Sequence, residues 1–366
     1  MDPSLRLHTG EETMSDLLTP AAPQVSAPAR DRLLTVAVVG ATGAVGLEIV
    51  GCLERRGFPV GSLKLLASER SAGKTCKFQG CDVVVETLAR DSFIGVDVAL
   101  FATDAAISQV FAPIAAAEGA LVVDNSSAFR MHWDIALVVP EVNGALLESR
   151  PRIVANPNCV ATIAVTALQP LHARFGMTRL IGATYQAASG AGAEAMAELQ
   201  ESTAAYLAGE AFEPKVLPHP YAFNVFSHNT TIDPATGYNG EETKVMDEVR
   251  KIMSLPDLRI SMTCVRVPVL RAHSMALTVE FDQPVTVAEA EALLAAAPGV
   301  RVVNDAKANH YPMPNEASGA DQVLVGRIRQ DLSDPSGRTL SLFLAGDQLL
   351  KGAALNAVQI AEVLVG

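Results

Sequence analysis

Positive charge is scarce in this chain. Its 366 residues include 28 Lys and Arg against 40 Asp and Glu, a formal charge of −12. That net field repels a phosphate backbone, so nucleic acid is not an expected partner. Charged residues of both signs make up only 19% of the chain and apolar residues 49%, which excludes disorder of the chain as a whole. Long apolar runs are also missing. The longest uncharged stretch, residues 153–173, is broken by Asn156, Pro157, Asn158, Gln169 and Pro170, so no membrane span or membrane partner is expected. Cysteine appears five times, an odd count with no Cys-x-x-Cys. With no secretory leader in view, these read as thiols of a reducing compartment, and a cytoplasmic location is expected. Cys76 and Cys81 have no companion ligands and read as strand or turn thiols. The histidines show no metal-ligand spacing, so no catalytic metal is expected.

What is present divides into three textures. Residues 1–32 are rich in Pro, Ala, Ser and Thr, lack any helical or strand period, and contain a second candidate start at Met14. They are expected to form a disordered tail, and their acids Asp2, Glu11, Glu12, Asp16 and Asp31 argue against an organelle-targeting peptide. From Leu33 short apolar runs alternate with helical stretches, at 33–39, 63–67, 96–102 and 120–124, with a helix expected over 105–118. That rhythm predicts a doubly wound, Rossmann-like α/β domain with parallel strands. After Pro151 the apolar segments lengthen, at 179–187, 258–268, 275–281, 323–329 and 340–344, with helices near 193–207, 240–254 and 286–296. This mixture predicts an α+β domain on a mixed sheet, and residues 349–364 read as a closing amphipathic helix. The expected organisation is a dinucleotide-binding domain over 33–155, completed by 347–366, and a catalytic and oligomerisation domain over 156–346.

Three local patterns carry chemistry. Gly40-Ala-Thr42-Gly43-Ala44-Val45-Gly46 lies between a predicted strand and a predicted helix, where backbone N–H groups can approach a pyrophosphate. About twenty residues later the second strand ends at Ser68-Glu69-Arg70-Ser71. There Glu69 suits a ribose 2′-hydroxyl, whereas Arg70 with Ser68 and Ser71 suits a 2′-phosphate; the expected arrangement turns Glu69 to solvent and favours NADP. Asn156-Pro-Asn158-Cys159 precedes a helical run, which would seat the Cys159 thiol at a helix N-terminus and lower its pKa. A buried core cysteine is the bland alternative. His273, between two strand-like segments, is either structural or the partner of that thiol in a Cys/His pair.

Together these residues make the chain resemble the aspartate-β-semialdehyde dehydrogenase family. The resemblance runs from about Leu33 to the C-terminus, through residues 38–46, 66–73, 124–130, 139–143, 156–159, 185–192, 240–244, 266–273 and 351–362. It implies Cys159 as nucleophile, His273 as acid/base, first accepting a proton, and Gln186 as the residue orienting the substrate. It further implies Arg266 on the substrate carboxylate, Glu241 on its ammonium, and Arg130, Asn158 and Lys244 on phosphate. For the cofactor, NADP, it implies the glycine loop with Ala44 and Val45, the turn after the second strand, Ser189 and Gly190, and Asn356 on the returning C-terminal helix. The implied reaction interconverts aspartate β-semialdehyde plus phosphate and aspartyl β-phosphate through a Cys159 thioester, within lysine, threonine and methionine biosynthesis, in a homodimer or homotetramer. Backbone N–H groups at the helix start after Asn158 are the expected oxyanion donors.

The chain departs from the family's pattern in three places. Val160-Ala161 follows the nucleophile where Ser or Thr is common, Phe101-Ala-Thr-Asp104 replaces a Gly-rich turn, and Gln348 stands where Asn is common. Two other readings are an N-acetylglutamyl-phosphate-type acyl-phosphate reductase and a non-catalytic NADP-binding relative. Glu241 opposes the first, since an acetylated amine offers a buried carboxylate no positive charge.

Overall fold

The computed structural model describes residues 32–366. All but Arg32 of the tail expected over 1–32 lies outside the described residues.

The first sheet is assembled from β1 (Leu34–Val39), β2 (Val60–Ala67), β3 (Thr75–Phe78), β4 (Cys81–Thr87), β5 (Val98–Phe101), β6 (Leu121–Asp124), β7 (Ala136–Leu137) and β8 (Ile153–Ala155), in the order β3-β4-β2-β1-β5-β6-β8-β7. Every pairing from β4 to β7 is parallel. The helices α1 (Ala44–Arg55), α2 (Ala105–Ala117) and the short α3 (Pro140–Asn143) connect these strands. Chain order reverses between β1 and β5, and in open α/β sheets the crevice beyond the strand ends at such a reversal is where ligands bind. β3 and β4 form a hairpin that the apolar runs did not announce. Its two-residue turn, Gln79-Gly80, has φ of 50° and 78°, the paired positive values that match strand twist. Cys76 and Cys81 lie on this hairpin, and all five cysteines are free.

The second sheet contains β9 (Met177–Gln186), β10 (Phe226–Ser227), β11 (Arg259–Arg266), β12 (His273–Phe281), β13 (Val300–Val302), β14 (Val323–Gln330) and β15 (Thr339–Gly346), ordered β10-β11-β9-β12-β15-β14-β13. Parallel pairing of β9 with β11 and antiparallel pairing of β9 with β12 make it mixed. One face packs on α4 (Cys159–Phe175), and that core also takes in α6 (Gly240–Ile252) and α7 (Val287–Ala296); α5 (Ala193–Ala208) and the one-turn α8 (Pro314–Ala317) lie outside it. Every residue of α4 from Val160 to Leu168 is buried, as expected for a helix apolar on all sides. The other face is more open, with Ile181 and Tyr185 39% and 37% exposed.

The C-terminal segment differs from a simple amphipathic helix. It opens with a π-helical turn, Leu350–Ala354, before α9 (Leu355–Val365). Its apolar side chains then join β1, β5 and α1 in the core of the first sheet, so the last residues of the chain complete the unit that the first strand begins.

Two glycines of the loop after β1 are constrained differently. At Gly40 φ is +82°, and an added Cβ would lie 2.3 Å from the Ala102 carbonyl oxygen at the end of β5. Gly43 has an ordinary φ of −79°, with only the Gly40 oxygen, at 3.4 Å, near an added Cβ. Gly40→Ala is therefore expected to destabilise the protein by about 2 kcal/mol or more, through left-handed strain and overlap. Gly43→Ala should stay within about 0.5 kcal/mol of wild type. Urea unfolding of the two variants measures the contrast.

Candidate active site

Two clefts adjoin the N-terminus of α1. The first, about 520 Å³, is lined by Gly40, Thr42, Gly43, Ser68, Glu69 and Thr103 among others. No side chain caps α1, so its first N–H groups face outward, and the open space at Gly43 is where a Cβ would intrude. Unpaired helix-start donors beside a Cβ-free approach fit a pyrophosphate, so the residues present suit a dinucleotide. The turn after β2 departs from expectation. Ser68 precedes a 3-10 turn, Glu69–Ser71, and it is Glu69, with Ser68, that forms the cleft wall. Arg70 stands exposed beyond it, and Ser71 accepts a hydrogen bond from Thr42 (3.3 Å). The turn starts at Glu69, and this puts Glu69 at the cleft wall, still exposed to solvent.

The second cleft, about 350 Å³, lies between the two sheets. Cys159, His273, Gln186, Arg130, Asn158, Glu241, Lys244, Arg266, Ser189, Gly190 and Val45 all line it, drawn from seven separate stretches of chain. Val45 on α1 touches this cleft while Gly43 touches the other, so the two are neighbours across one turn of helix. Asn356 reaches neither. It is wholly buried, donating to the Val138 carbonyl (3.0 Å) and to Asn156 Oδ1 (2.6 Å) and accepting from Lys351 (2.9 Å). Its assignment to the cofactor is corrected accordingly: its amide is spent inside the core.

Cys159 is the first residue of α4 and half-buried. Its N-cap, Asn158, accepts from the N–H groups of Val160 (2.8 Å) and Ala161 (3.2 Å). Those donors are therefore committed to the cap, and the expected oxyanion role narrows to the N–H of Cys159 itself. Beneath the thiol lies Gly352 of the π turn, where an added Cβ would stand 2.8 Å from the Cys159 Cβ. Burial pushes the thiol up to about 12, and the Glu241 carboxylate adds to the rise; Arg130, Arg266 and the Val160 N–H oppose it. The expected lowering at a helix start is thus overturned. A helix terminus contributes at most about 2 kcal/mol, whereas burial shifts a thiol by several pK units.

His273 opens β12 and is fully buried. Its Nδ1 accepts the Ala187 backbone N–H at 3.0 Å, so the neutral ring carries its proton on Nε2, a buried atom with no partner among the described residues. Burial, with the Arg266 and His228 charges, holds its pKa well below the ordinary value. His273 is therefore set as a hydrogen-bond donor at Nε2 when no ligand is bound. Gly190 makes room for it: a Cβ there would come within 2.9 Å of the ring and 3.2 Å of Arg266 Nη1.

Arg266 ends β11 directly beside Gln186 in the parallel register. It is buried, donating to Asn229 Oδ1 and to the Ala187 carbonyl, each at 3.3 Å. Part of its guanidinium fork is left for a carboxylate. Glu241 Oε1 accepts from Asn158 Nδ2 (2.9 Å) and Gln186 Nε2 (3.2 Å), while Oε2 has no partner among the described residues. Despite its burial this carboxyl lies below its ordinary range, held there by the His228 charge, the two amides and Lys244. The site thus offers a thiol, a ring donor, a carboxylate and three cations. Residues that the motifs did not single out include Glu248, His228 and Asn125. Of these only Glu248 had a sequence signal, standing seven residues and two helical turns after Glu241. His228 is pulled down to about 4 by burial and the Arg266 charge. Among the described residues no group of three or more His, Cys, Asp or Glu side chains could hold a metal ion.

Residues 35–150 match the family described as semialdehyde dehydrogenase, NAD binding domain, and residues 168–351 the one described as semialdehyde dehydrogenase, dimerisation domain. The aspartate-semialdehyde dehydrogenase of Synechocystis is 49% identical over 332 residues, covering 91% of this chain and 97% of that protein. That of Bacillus subtilis is 45% identical over 341 residues, covering 91% and 98%. Among solved structures, aspartate semialdehyde dehydrogenase II of Vibrio cholerae, complexed with ASA, superposes with a TM-score of 0.88 at 40% identity, covering 91% of this chain and 98% of that one.

The opposition between Glu241 and the thiol can be read directly. Without substrate, alkylation of Cys159 by iodoacetamide at pH 7 should be slower than that of a model thiol and should keep rising above pH 9. Glu241→Gln removes a charge that disfavours thiolate, so its alkylation at neutral pH should be faster than wild type. An equal or slower rate would show that Glu241 does not control the thiol.

Proposed function

This chain belongs to the aspartate-semialdehyde dehydrogenase family, and from that membership together with the cleft we infer that it is an NADP-dependent phosphorylating oxidoreductase of amino-acid biosynthesis. It interconverts aspartate β-semialdehyde plus phosphate and aspartyl β-phosphate, in the route to lysine, threonine and methionine. The observation that carries this reading is Cys159 at the start of α4, in one cleft with His273, Arg266 and Glu241.

In the proposed mechanism Arg266 holds the α-carboxylate with the open part of its fork. Glu241 Oε2 receives the α-ammonium, and Gln186, held by Glu241 and Thr184, orients the chain between them. Binding the ammonium also offsets the charge that disfavours thiolate at Cys159. The sulfur adds to the aldehyde carbon, the C=O π bond opens, and the thiol proton ends on oxygen. The Nε2–H of His273 and the N–H of Cys159 donate to that oxygen while its charge develops. Bound NADP supplies the hydride acceptor, through Gly40, Thr42, Gly43, Ala44, Val45 and the Ser68–Ser71 turn. As the hydride leaves, the hydroxyl proton passes to solvent and the acyl group held on Cys159 is a thioester; a phosphate oxygen, positioned by Arg130, Asn158 and Lys244, attacks it, the C–S bond breaks, and the departing sulfur takes up the phosphate proton. In the biosynthetic direction the order reverses. An N-acetylated substrate would leave Glu241 buried without a counter-charge, which disfavours the acetylglutamyl reading.

Residues 33–155 with 347–366 are read as the nucleotide-binding half and 156–346 as the catalytic half. The protein assembles as an oligomer, and the half-open sheet face bearing Ile181 and Tyr185 supports a homodimer or homotetramer built on it. Five free cysteines support a reducing cytoplasm, and among the described residues no helix is long and apolar enough to cross a membrane.

The direct test follows NADPH at 340 nm with aspartate semialdehyde, phosphate and NADP. Cys159→Ser should lose more than about two decades of turnover with unchanged cofactor affinity. Arg266→Lys should lower kcat/KM for aspartate semialdehyde about tenfold or more, since an ammonium cannot hold a carboxylate by two parallel bonds. Glu69→Gln, by removing a like charge from the cleft wall, should improve KM for NADP more than for NAD; equal improvement would mean that the 2′-phosphate lies elsewhere.

A further inference from the structure

Three acidic or basic side chains of α6 fall on one side of that helix: Glu241, Lys244 and Glu248, spaced by three and four residues. The mechanism uses the first two. Glu248, only 1% exposed, is left without a part to play.

Its contacts are specific. Oε2 accepts the backbone N–H of Asn158 at 2.5 Å, immediately before the nucleophile, and Oε1 accepts from Arg130 Nη1 at 3.2 Å. Arg130 is held on its other sides by the carbonyls of Asn156, from Nε at 3.0 Å, and of Asn125, from Nη2 at 2.7 Å. Three of the five guanidinium N–H groups are thus committed, and two remain for a ligand. We propose that Glu248 is a positioning residue that aims Arg130 at the phosphate and couples that site to the start of the nucleophile helix. The proposal rests on the reading of Arg130 as a phosphate ligand.

A carboxylate next to an anion site is unfavourable by charge alone, since it offsets the cation that the anion needs. Its presence is accounted for by geometry. Nη1 is the one Arg130 nitrogen held by a charged acceptor, and the same carboxylate fixes the peptide that carries Asn158, a second proposed phosphate ligand. Two views of Glu248 therefore predict opposite signs. If it were only a counter-ion, its neutralisation would strengthen the pull of Arg130 on phosphate. If it positions, neutralisation loosens Arg130 and weakens phosphate binding.

The experiment is steady-state kinetics in the phosphorylating direction, with phosphate and aspartate semialdehyde varied in turn, on wild type, Glu248→Gln, Arg130→Ala and the double variant. Glu248→Gln should raise KM for phosphate about tenfold. It should leave KM for aspartate semialdehyde within about twofold, because Arg266 and Glu241 hold that substrate. On the Arg130→Ala background its effect on KM for phosphate should shrink to the smaller part that passes through Asn158. A phosphate KM that is unchanged or lowered, or a change that multiplies with that of Arg130→Ala, overturns the proposal. Should Glu248→Gln fail to fold, Arg130→Lys tests the same geometry: it keeps the charge but cannot span three acceptors. A phosphate-specific rise supports the proposal and an unchanged KM refutes it. A wild-type enzyme whose rate does not depend on phosphate would instead refute the functional reading and the proposal together, which separates the two failures.

Discussion

The cleft is organised around one asparagine. The Asn158 side-chain oxygen caps α4, its amide holds Glu241, and its backbone N–H is held by Glu248. A single residue of the first-sheet connection thereby fixes the start of the nucleophile helix against two acids of α6. Caps of this kind contribute about 1 kcal/mol to helix stability, but here the geometric effect is larger than the energetic one. Shifting this asparagine would displace Cys159, Glu241 and, through Glu248, Arg130 at once. The polar groups involved are buried, and buried polar networks specify one arrangement only when each member is satisfied. Two partner-free atoms, Nε2 of His273 and Oε2 of Glu241, belong to residues that line the cleft.

Behind the thiol a second network takes over. Asn156 donates to Asn125 (2.8 Å) and to the Ala353 carbonyl (3.2 Å), and it receives the Asn356 amide. Lys351, buried and lowered to about 8 chiefly by that burial, bonds Glu141, Asn356 and Gln359. These contacts pin the π turn from both sides. A π turn places its residues off the α-helical register, and here it brings Gly352 flush with Cys159. The amide implied as a cofactor ligand is instead part of the scaffold under the nucleophile.

Much of this is legible in the sequence. The glycine loop and Cys159 are local patterns, and local geometry placed them, whereas Glu241 and Lys244 entered only through the family resemblance. The parallel rhythm of the first domain and the mixed sheet of the second followed from segment length and alternation. What was not legible depends on distant partners. The tautomer of His273 is dictated by a backbone N–H at residue 187. The thiol pKa reverses sign because burial, which no motif encodes, outweighs the helix terminus. Glu69 and Arg70 are adjacent in sequence, and only the start of a three-residue turn decides which of them meets the cleft. Asn356 was misassigned because a side chain on a helix that is buried nearly all round can point to core or cleft, and periodicity does not distinguish the two.

The Gly352 contact has a consequence for how the enzyme is made. The floor beneath Cys159 and the last helix of the nucleotide-binding core both come from the final seventeen residues, and these reach their places only after the rest of the chain exists. During vectorial synthesis the nascent protein carries its nucleophile for some two hundred residues without the surface that seats it, while domains that form earlier fold as they emerge. A polypeptide lacking residues 350–365 would be an incomplete catalyst, even with every reacting side chain already present.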